Sequence, residues 1–330
     1  MRKQKERLAL VTGGAGFIGS HLVEALLRAG WRVKALVRYS SRGGAGFLED
    51  LEGRNTDLEI LRGDIADADF VRSAAAGADT LFHLAASISI PQSYLAPRDT
   101  VHVNVIGTLN VLEAARAAGI RRLVHTSTSE VYGTAQAVPM DETHRMRGQS
   151  PYAATKIAAD QLVESYHCAF GVPAVIVRPF NTFGPRQSPR AVIPSIIRQV
   201  LAGGPVRLGA LTPTRDFTFV EDTVAGFIRA ADAGEDALGQ VFNLGTGREV
   251  SIGDLAKLIM NLAGAERPVE VEPQRLRPEA SEVDRLLSDN GRARSVLGWQ
   301  PRISLEQGLE RTIGWWRGGG AGFGGRDYAV

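Results

Sequence analysis

The sequence predicts an α/β fold: a doubly wound, mostly parallel sheet followed by a smaller lobe of mixed helix and strand. Two observations carry this. Apolar, strand-like runs alternate with helical patterns up to residue 180, the order that builds a parallel sheet with helices on both faces. The polar residues with chemical potential then fall at the ends of those runs, where ligands of such folds bind. After Pro179, prolines and glycines break the chain into shorter pieces. Residues 1–180 are therefore expected to form the sheet domain and 181–317 the smaller lobe, with some segments crossing back. Residues 318–330, rich in glycine, are expected to form a flexible tail.

The first run, Leu8 to Val11, reads as a buried strand. Thr12-Gly13-Gly14-Ala15-Gly16-Phe17-Ile18-Gly19-Ser20 follows at once. An amphipathic helix then begins, with Phe17, Leu22, Leu26 and Leu27 as candidate core. Strand, glycine turn and helix N-terminus form the setting for a dinucleotide pyrophosphate, so residues 1–180 read as a Rossmann-type dinucleotide-binding domain. Gly13, Gly16 and Gly19 make GxxGxxG rather than GxGxxG; an ordinary strand-to-helix turn does not need three glycines at that spacing. The second strand, Arg32 to Val37, ends in Arg38-Tyr39-Ser40-Ser41-Arg42. No acid stands there for ribose hydroxyls. Arg38 and Ser40 suit a 2′-phosphate instead, which favours NADP. If the arginines are solvated surface charges, NAD is the cofactor.

Leu58 to Arg62 is a strand ending at Gly63-Asp64, and Thr80 to Leu84 one ending at Ala85-Ala86-Ser87. Pro97 to Ala118 reads as a helix with Val103, Ile106, Leu109 and Leu112 at helical spacing. Leu123 to Thr126 is a strand that delivers Thr128 and Glu130 at its carboxyl end. Ser150 to Phe170 is a helix and Val172 to Val177 the next strand. Helical signals continue at Ile193 to Leu201, Asp222 to Ala233, Ile252 to Ala263 and Leu305 to Trp316. Phe217 to Thr223 and Phe242 to Gly247 look like sheet-end loops.

Bulk properties exclude several classes. Lys plus Arg number 38 against 36 acids in 330 residues, so no long-range basic field recruits nucleic acid. One cysteine, Cys168, rules out an internal disulfide; its apolar helical setting predicts burial. His144 and His167 lack ligand spacing, so no metal is expected. His83 and His125, at and within strands, read as packed core, and Trp315-Trp316 as a helix packing on the smaller lobe. No apolar run reaches a membrane span. Met1 to Arg7 lacks the apolar core of a signal peptide, which makes the cytoplasm the expected location.

The chemistry concentrates in two segments, His125-Thr126-Ser127-Thr128-Ser129-Glu130-Val131-Tyr132-Gly133 and Tyr152-Ala153-Ala154-Thr155-Lys156. A Tyr and a Lys four apart on a helix share one face. An unperturbed Tyr titrates near ~10. A neighbouring ammonium is expected to lower Tyr152 towards the range of a working base. Such a Tyr removes a hydroxyl proton while a hydride leaves the same carbon, and Thr128 adds a second hydrogen bond to that oxygen. Glu130 is a further carboxylate that alcohol oxidation does not need, which points to a second acid–base step. A structural pairing of Glu130 with a nearby Arg is the alternative.

Together these motifs resemble the extended short-chain dehydrogenase/reductase superfamily over nearly the whole chain. Gln149-Ser150-Pro151-Tyr152-Ala153-Ala154-Thr155-Lys156 and Arg178-Pro179-Phe180-Asn181-Thr182-Phe183-Gly184-Pro185-Arg186-Gln187-Ser188 are similar to nucleotide-sugar 4,6-dehydratases. So are Pro213-Thr214-Arg215-Asp216-Phe217 and Arg277-Pro278-Glu279-Ala280-Ser281-Glu282-Val283, with N-acetylglucosamine nucleotide dehydratases the nearest branch. Ser129-Glu130 stands where some hexose dehydratases carry Asp-Glu, as in the GDP-mannose 4,6-dehydratase type. The resemblance implies Tyr152 as base and Lys156 as ribose ligand and tuner of Tyr152, with Thr128 on the hydroxyl of sugar carbon 4. It implies NADP or NAD held by Gly13, Gly16, Phe17, Ile18, Gly19, Arg38 and Ser40. Asp64 and Ile65 would border the adenine, and Leu84, Ala85, Ala86 and Pro179 would complete the cofactor site. Ser87, Asn181, Arg215 and Arg277 would meet the sugar nucleotide, arginine suiting phosphate through its planar fork. A homodimer through the two long helices is also implied. Decarboxylases of nucleotide-linked uronic acids also carry Ser-Glu-Val-Tyr-Gly, and 4-epimerases use the same Thr, Tyr and Lys. A cofactor-binding regulatory protein without turnover is the alternative of another class.

Overall fold

The computed structural model describes residues 7–39 and 44–320; Ser40, Ser41 and Arg42 and the tail from residue 321 lie outside them. Six strands come from the expected sheet domain: Leu8–Thr12 (β1), Arg32–Arg38 (β2), Leu58–Gly63 (β3), Thr80–His83 (β4), Arg122–Thr126 (β5) and Ala174–Pro179 (β6). A seventh, Val241–Leu244, joins them in one sheet of order β3-β2-β1-β4-β5-β6-seventh. Every pairing in it is parallel. The chain starts at the centre, winds to one edge and then to the other. The reversal opens a crevice beyond the ends of β1 and β4, the place where doubly wound sheets bind ligands. The strands read as near-continuous apolar runs because both faces are covered; β6 is buried along its whole length.

Helix α1 (Phe17–Arg28) and the helix Val220–Asp232 pack together on one face. Helix α2 (Ala68–Ala75), Gly107–Ala118 and Pro151–Phe170 cover the other. In α1, Leu22 and Leu26 are fully buried, while Phe17 and Leu27 sit at the margin of the core. The core of the first face runs without a break into the smaller lobe through Phe183, Phe217, Phe219 and Phe227. There Val192–Ala202, Ile252–Ala263 and Leu305–Arg317 form a helical layer beside the parallel pair Val206–Leu208 and Val269–Val271. Trp316 packs into this layer at 5 % exposure. The chain does cross back: Val241 to Leu244 pairs with Ile176 to Pro179, and Val220–Asp232 lies against β5 and β6.

Two expectations about helices need correction. Pro97 to Ala118 is not one regular helix. Pro97–Val101 passes through a wider π-type turn, His102–Ile106, before Gly107–Ala118. The extra residue in that turn rotates the inward face. Asn104, Gly107, Thr108, Val111 and Leu112 are buried, whereas Ile106 is exposed. Cys168 is exposed, because the buried face of Pro151–Phe170 runs through Tyr152, Lys156, Ala159 and Val163 and leaves position 168 outside. Among the described residues, no helix is long and apolar enough to cross a membrane, and no group of His, Cys, Asp or Glu has the geometry of a metal site.

Candidate active site

The cofactor end is built by β1 and its turn. Gly13 adopts φ +70, and a Cβ there would lie 2.9 Å from the Ala85 nitrogen. A Cβ on Gly19 would lie 2.2 Å from the Gly13 carbonyl oxygen. Only glycine permits these approaches, and they draw the turn, the start of α1 and the Leu84–Ala85 backbone together. Thr12 Oγ1 accepts from the Leu84 and Ala85 nitrogens at 3.1 Å each. Gly16 caps α1 without a side-chain partner, and no acid occupies the first turn. A twelve-residue helix therefore points uncapped N–H groups and its positive end into the crevice. That cradle fits a pyrophosphate, and it is where the sequence placed Gly13, Gly16, Phe17, Ile18 and Gly19.

Arg38 ends β2, exposed, in register with Gly63; Ser40 lies outside the described residues. Asp64 is exposed beyond β3, while Ile65 is buried under Gly107. Asn110 holds this turn by donating to the Ile65 and Ala66 carbonyls at 3.1 and 3.0 Å. Leu84, Ala85, Ala86 and Ser87 line the loop after β4, half-buried. His83 below them is fully buried, sharing hydrogen bonds with Thr12 and Thr108 at 2.9 and 3.0 Å. Burial holds it well below the usual imidazole range, so it packs as a neutral residue, as its strand position implied.

Thr128 and Glu130 leave β5 in a short turn, Ser129–Tyr132, which Thr128 caps by accepting from the Glu130 nitrogen at 3.3 Å. Ser150 caps the helix Pro151–Phe170 by accepting from the Ala153 nitrogen at 3.1 Å. Tyr152 and Lys156 lie in its first turns, 8 % and 4 % exposed. Thr128 and Tyr152 are hydrogen-bonded. Burial nevertheless pushes the Tyr152 phenol above its ordinary value, with the Glu130 and Asp160 charges adding to the rise. The expectation that Lys156 lowers Tyr152 is thus corrected for the protein on its own. The Lys156 ammonium is aimed at β5, donating to the Thr126 carbonyl at 2.6 Å. Burial in turn lowers Lys156 to about 8.

Asp160, one turn further on, is buried beneath Lys156 and raises it by its charge. It accepts from Ser127 Oγ at 2.7 Å and from Arg178 Nε and Nη2 at 3.1 and 2.9 Å. His125 Nε2 lies 3.4 Å from its other oxygen. Burial would raise Asp160, but the contact with His125 and the charges of Arg178, His125 and Lys156 hold it below its ordinary value. His125 itself is driven by burial to about 4.

The sequence reading missed Asn104. Its Oδ1 accepts from the Ser87 nitrogen at 2.7 Å, and its Nδ2 donates to the Ser87 carbonyl and Thr155 Oγ1 at 3.0 and 2.9 Å. It ties the loop after β4 to the catalytic helix. Asn104 lies off the Val103–Ile106–Leu109–Leu112 spacing, so the sequence carries no signal for it.

On the far side stand the arginines. Arg215, on the short strand Thr214–Arg215, is 7 % exposed. Arg277 Nη1 lies 3.9 Å from Glu130 and 3.8 Å from Glu282, and Arg215 Nη2 lies 3.4 Å from Glu282. Asn181 follows Pro179 off the end of β6, its Oδ1 buried and unpartnered. Arg277 Nη1 is likewise without a hydrogen bond. Glu130 thus links the Thr128–Tyr152 pair to Arg277, and Glu282 links Arg277 to Arg215. Arg38 and Asp64 lie towards the β2–β3 edge, apart from these acid–base groups, as an adenosine end requires.

Residues 10–312 match the family model described as GDP-mannose 4,6 dehydratase. The chain belongs to this family. A UDP-glucose 4-epimerase of Mycolicibacterium smegmatis is 41 % identical over 313 residues, covering 93 % of this chain and 98 % of that protein. A UDP-N-acetyl-alpha-D-glucosaminuronate decarboxylase of Bacillus cytotoxicus is 33 % identical, covering 94 % of this chain and 98 % of its own. A solved double mutant of a dTDP-glucose 4,6-dehydratase from Streptomyces venezuelae, with NAD bound, superposes with a TM-score of 0.88 at 30 % identity. That match covers 96 % of this chain and 98 % of the other. This GDP-mannose 4,6 dehydratase family member is therefore an enzyme of the extended short-chain dehydrogenase/reductase superfamily, among nucleotide-sugar dehydratases, epimerases and decarboxylases. The doubly wound fold and the superfamily expected from the motifs are both borne out.

Proposed function

We propose that this enzyme is a nucleotide-sugar 4,6-dehydratase acting on UDP- or GDP-N-acetylglucosamine. Glu130 carries the reading. Its carboxylate stands beside Thr128, only 12 % exposed, close enough for its charge to act on Tyr152. A 4-epimerase gains little from a carboxylate there. A dehydratase needs a base to take the proton next to the new ketone.

When bound, the oxidised dinucleotide supplies a hydride acceptor, later a hydride donor, and a cationic ring. Tyr152 takes the proton of the hydroxyl on sugar carbon 4, and Thr128 hydrogen-bonds the same oxygen. Loss of that proton and a hydride leaves a ketone, which acidifies the proton on carbon 5. Glu130 removes this proton and delivers one to the hydroxyl leaving carbon 6 as water. With the hydride stored on the bound dinucleotide returned to carbon 6, the proton held by Tyr152 would balance the one taken up at carbon 5, giving the 4-keto-6-deoxy sugar. Lys156 holds the nicotinamide ribose. Arg215, Arg277 and Asn181 hold the diphosphate; Arg277 Nη1, ion-paired with Glu130 and Glu282 but without a hydrogen bond, keeps its N–H groups for it. Arg38 at the end of β2 favours NADP over NAD. The enzyme acts as a cytoplasmic homodimer.

The 41 % identity with a UDP-glucose 4-epimerase favours 4-epimerisation as the second reading, with decarboxylation of a UDP-uronic acid behind it. Mass spectrometry of UDP-N-acetylglucosamine, UDP-glucose, UDP-glucuronate and the GDP equivalents, each with NAD or NADP, separates them. Loss of one water without net cofactor reduction is expected. Loss of carbon dioxide, or a new isomer of unchanged mass, overturns the dehydratase. Glu130→Gln is expected to retain oxidation and stall elimination, with product formation down by about 10²–10⁴-fold. Product at the parental rate would remove Glu130 from the mechanism.

A further inference from the structure

The segment Arg277 to Glu282 must hold Arg277 against Glu130 and Glu282 against Arg215, yet no strand secures it. Its local structure is a single turn, Glu279–Ser281. What ties it down is Gln149, the residue before the cap of the catalytic helix. Gln149 Nε2 donates to the Glu282 carbonyl at 2.9 Å and to the Ala280 carbonyl at 3.3 Å. Its Oε1 accepts from the Thr134 nitrogen at 2.6 Å, in the turn that follows Glu130. Its own carbonyl accepts from Ser281 Oγ at 2.6 Å, and that oxygen also shares a hydrogen bond of 2.5 Å with Tyr94. Gly133 adopts φ +66, and a Cβ there would meet Gln149 Oε1 at 2.4 Å. The turn is thus shaped to let the amide in.

We infer that Gln149 is a positioning residue for the sugar nucleotide, its amide clamping the diphosphate-side segment 277–282 to the Thr134 turn and the head of the catalytic helix. This rests on the proposed diphosphate role of Arg215 and Arg277. The amide is suited to the task because one end donates and the other accepts. A carboxylate of the same shape keeps the acceptor for Thr134 but turns an oxygen towards two carbonyls, replacing their donor with repulsion and leaving Glu282 only the long bond of 3.4 Å from Thr134 Oγ1. The clamp touches no part of the glycine turn that would hold the dinucleotide pyrophosphate.

The test is calorimetric titration of parent, Gln149→Glu and Ser281→Ala enzymes with UDP, GDP, dTDP and CDP, and separately with NAD and NADP. The nucleoside diphosphate that the parent binds is expected to weaken about tenfold in Gln149→Glu. A smaller loss is expected in Ser281→Ala, which leaves the Gln149 amide in place. Dinucleotide affinity is expected to hold within about twofold in both. Unchanged diphosphate affinity in Gln149→Glu overturns the clamp. So does parallel loss of both ligands, which marks a structural role. A parent that binds the dinucleotide but no nucleoside diphosphate overturns instead the diphosphate reading of the arginines, and the clamp falls with it.

Discussion

Tyr152→Phe is expected to lower turnover by about 10²–10⁴-fold while leaving dinucleotide binding intact. The variant removes one oxygen from a ring 8 % exposed and keeps the ring's packing. The lost hydroxyl is the group hydrogen-bonded to Thr128. In the protein on its own, burial holds the phenol above its ordinary value, so at neutral pH it is protonated. A positive neighbour must therefore offset burial before the phenol can serve as base. The cationic nicotinamide would be that neighbour in the proposed mechanism, its ribose held by the Lys156 ammonium. Lys156, lowered by burial to about 8, loses its charge as pH rises through that value. Activity of the parent is accordingly expected to fall above pH about 8. The check is kcat/KM by product mass spectrometry across that range, with fluorescence titration of NAD and NADP for the variant. Turnover of Tyr152→Phe within tenfold of the parent would assign the proton transfer to another group.

Much of this was legible because it is local. The glycine turn, the strand ends and the Thr-Tyr-Lys set lie in short contiguous segments whose spacing is dictated by strand and helix geometry. What escaped was set by distant pairings. Tyr152 and Lys156 do share a helix face, but the direction of the ammonium is decided by the Thr126 carbonyl across the gap to β5. Asn104 sits on an inward face reached only through a π-type turn, which no apolar spacing announces. Arg186, in the smaller lobe, adopts φ 70 and grips Glu24 of α1 at 2.6 Å, joining residues 162 positions apart. The Phe242 to Gly247 stretch looks in sequence like a sheet-end loop. Its first half instead completes the Val241–Leu244 strand, since four residues with the polar Asn243 among them are too short to show a strand period.

The buried cluster under Lys156 gives the other large effect. Asp160→Ala is expected to destabilise the fold by about 3–5 kcal/mol, because it leaves the Arg178 guanidinium buried without its counter-charge. Arg178 is 3 % exposed and tied into the cluster: its Nη1 donates to the Tyr132 hydroxyl at 2.9 Å, and Tyr132 donates in turn to Asn243 at 2.8 Å. Asp160→Leu combined with Arg178→Met is expected to recover most of the loss, since an apolar pair of similar volume need not bury charge. Urea unfolding of the three chains measures both statements, and a single variant as stable as the parent would refute the pairing.

The pH dependence separates the members of the cluster. His125, at about 4, and His83, well below its ordinary value, are neutral when folded, whereas the unfolded chain takes up their protons near ~6.5. Their contribution is whole above that value and is lost as pH falls towards 4. Asp160 is held below its ordinary value, so its contribution persists through that window and is lost only below pH ~3.9, as the carboxylate takes up a proton. Asp160→Ala should therefore lower stability at neutral pH yet keep a decline between pH about 6.5 and 4. Removing Asp160 also takes away the charge that raises Lys156. The alkaline fall in activity should then move below pH 8, a shift that a purely structural role for Asp160 would not produce.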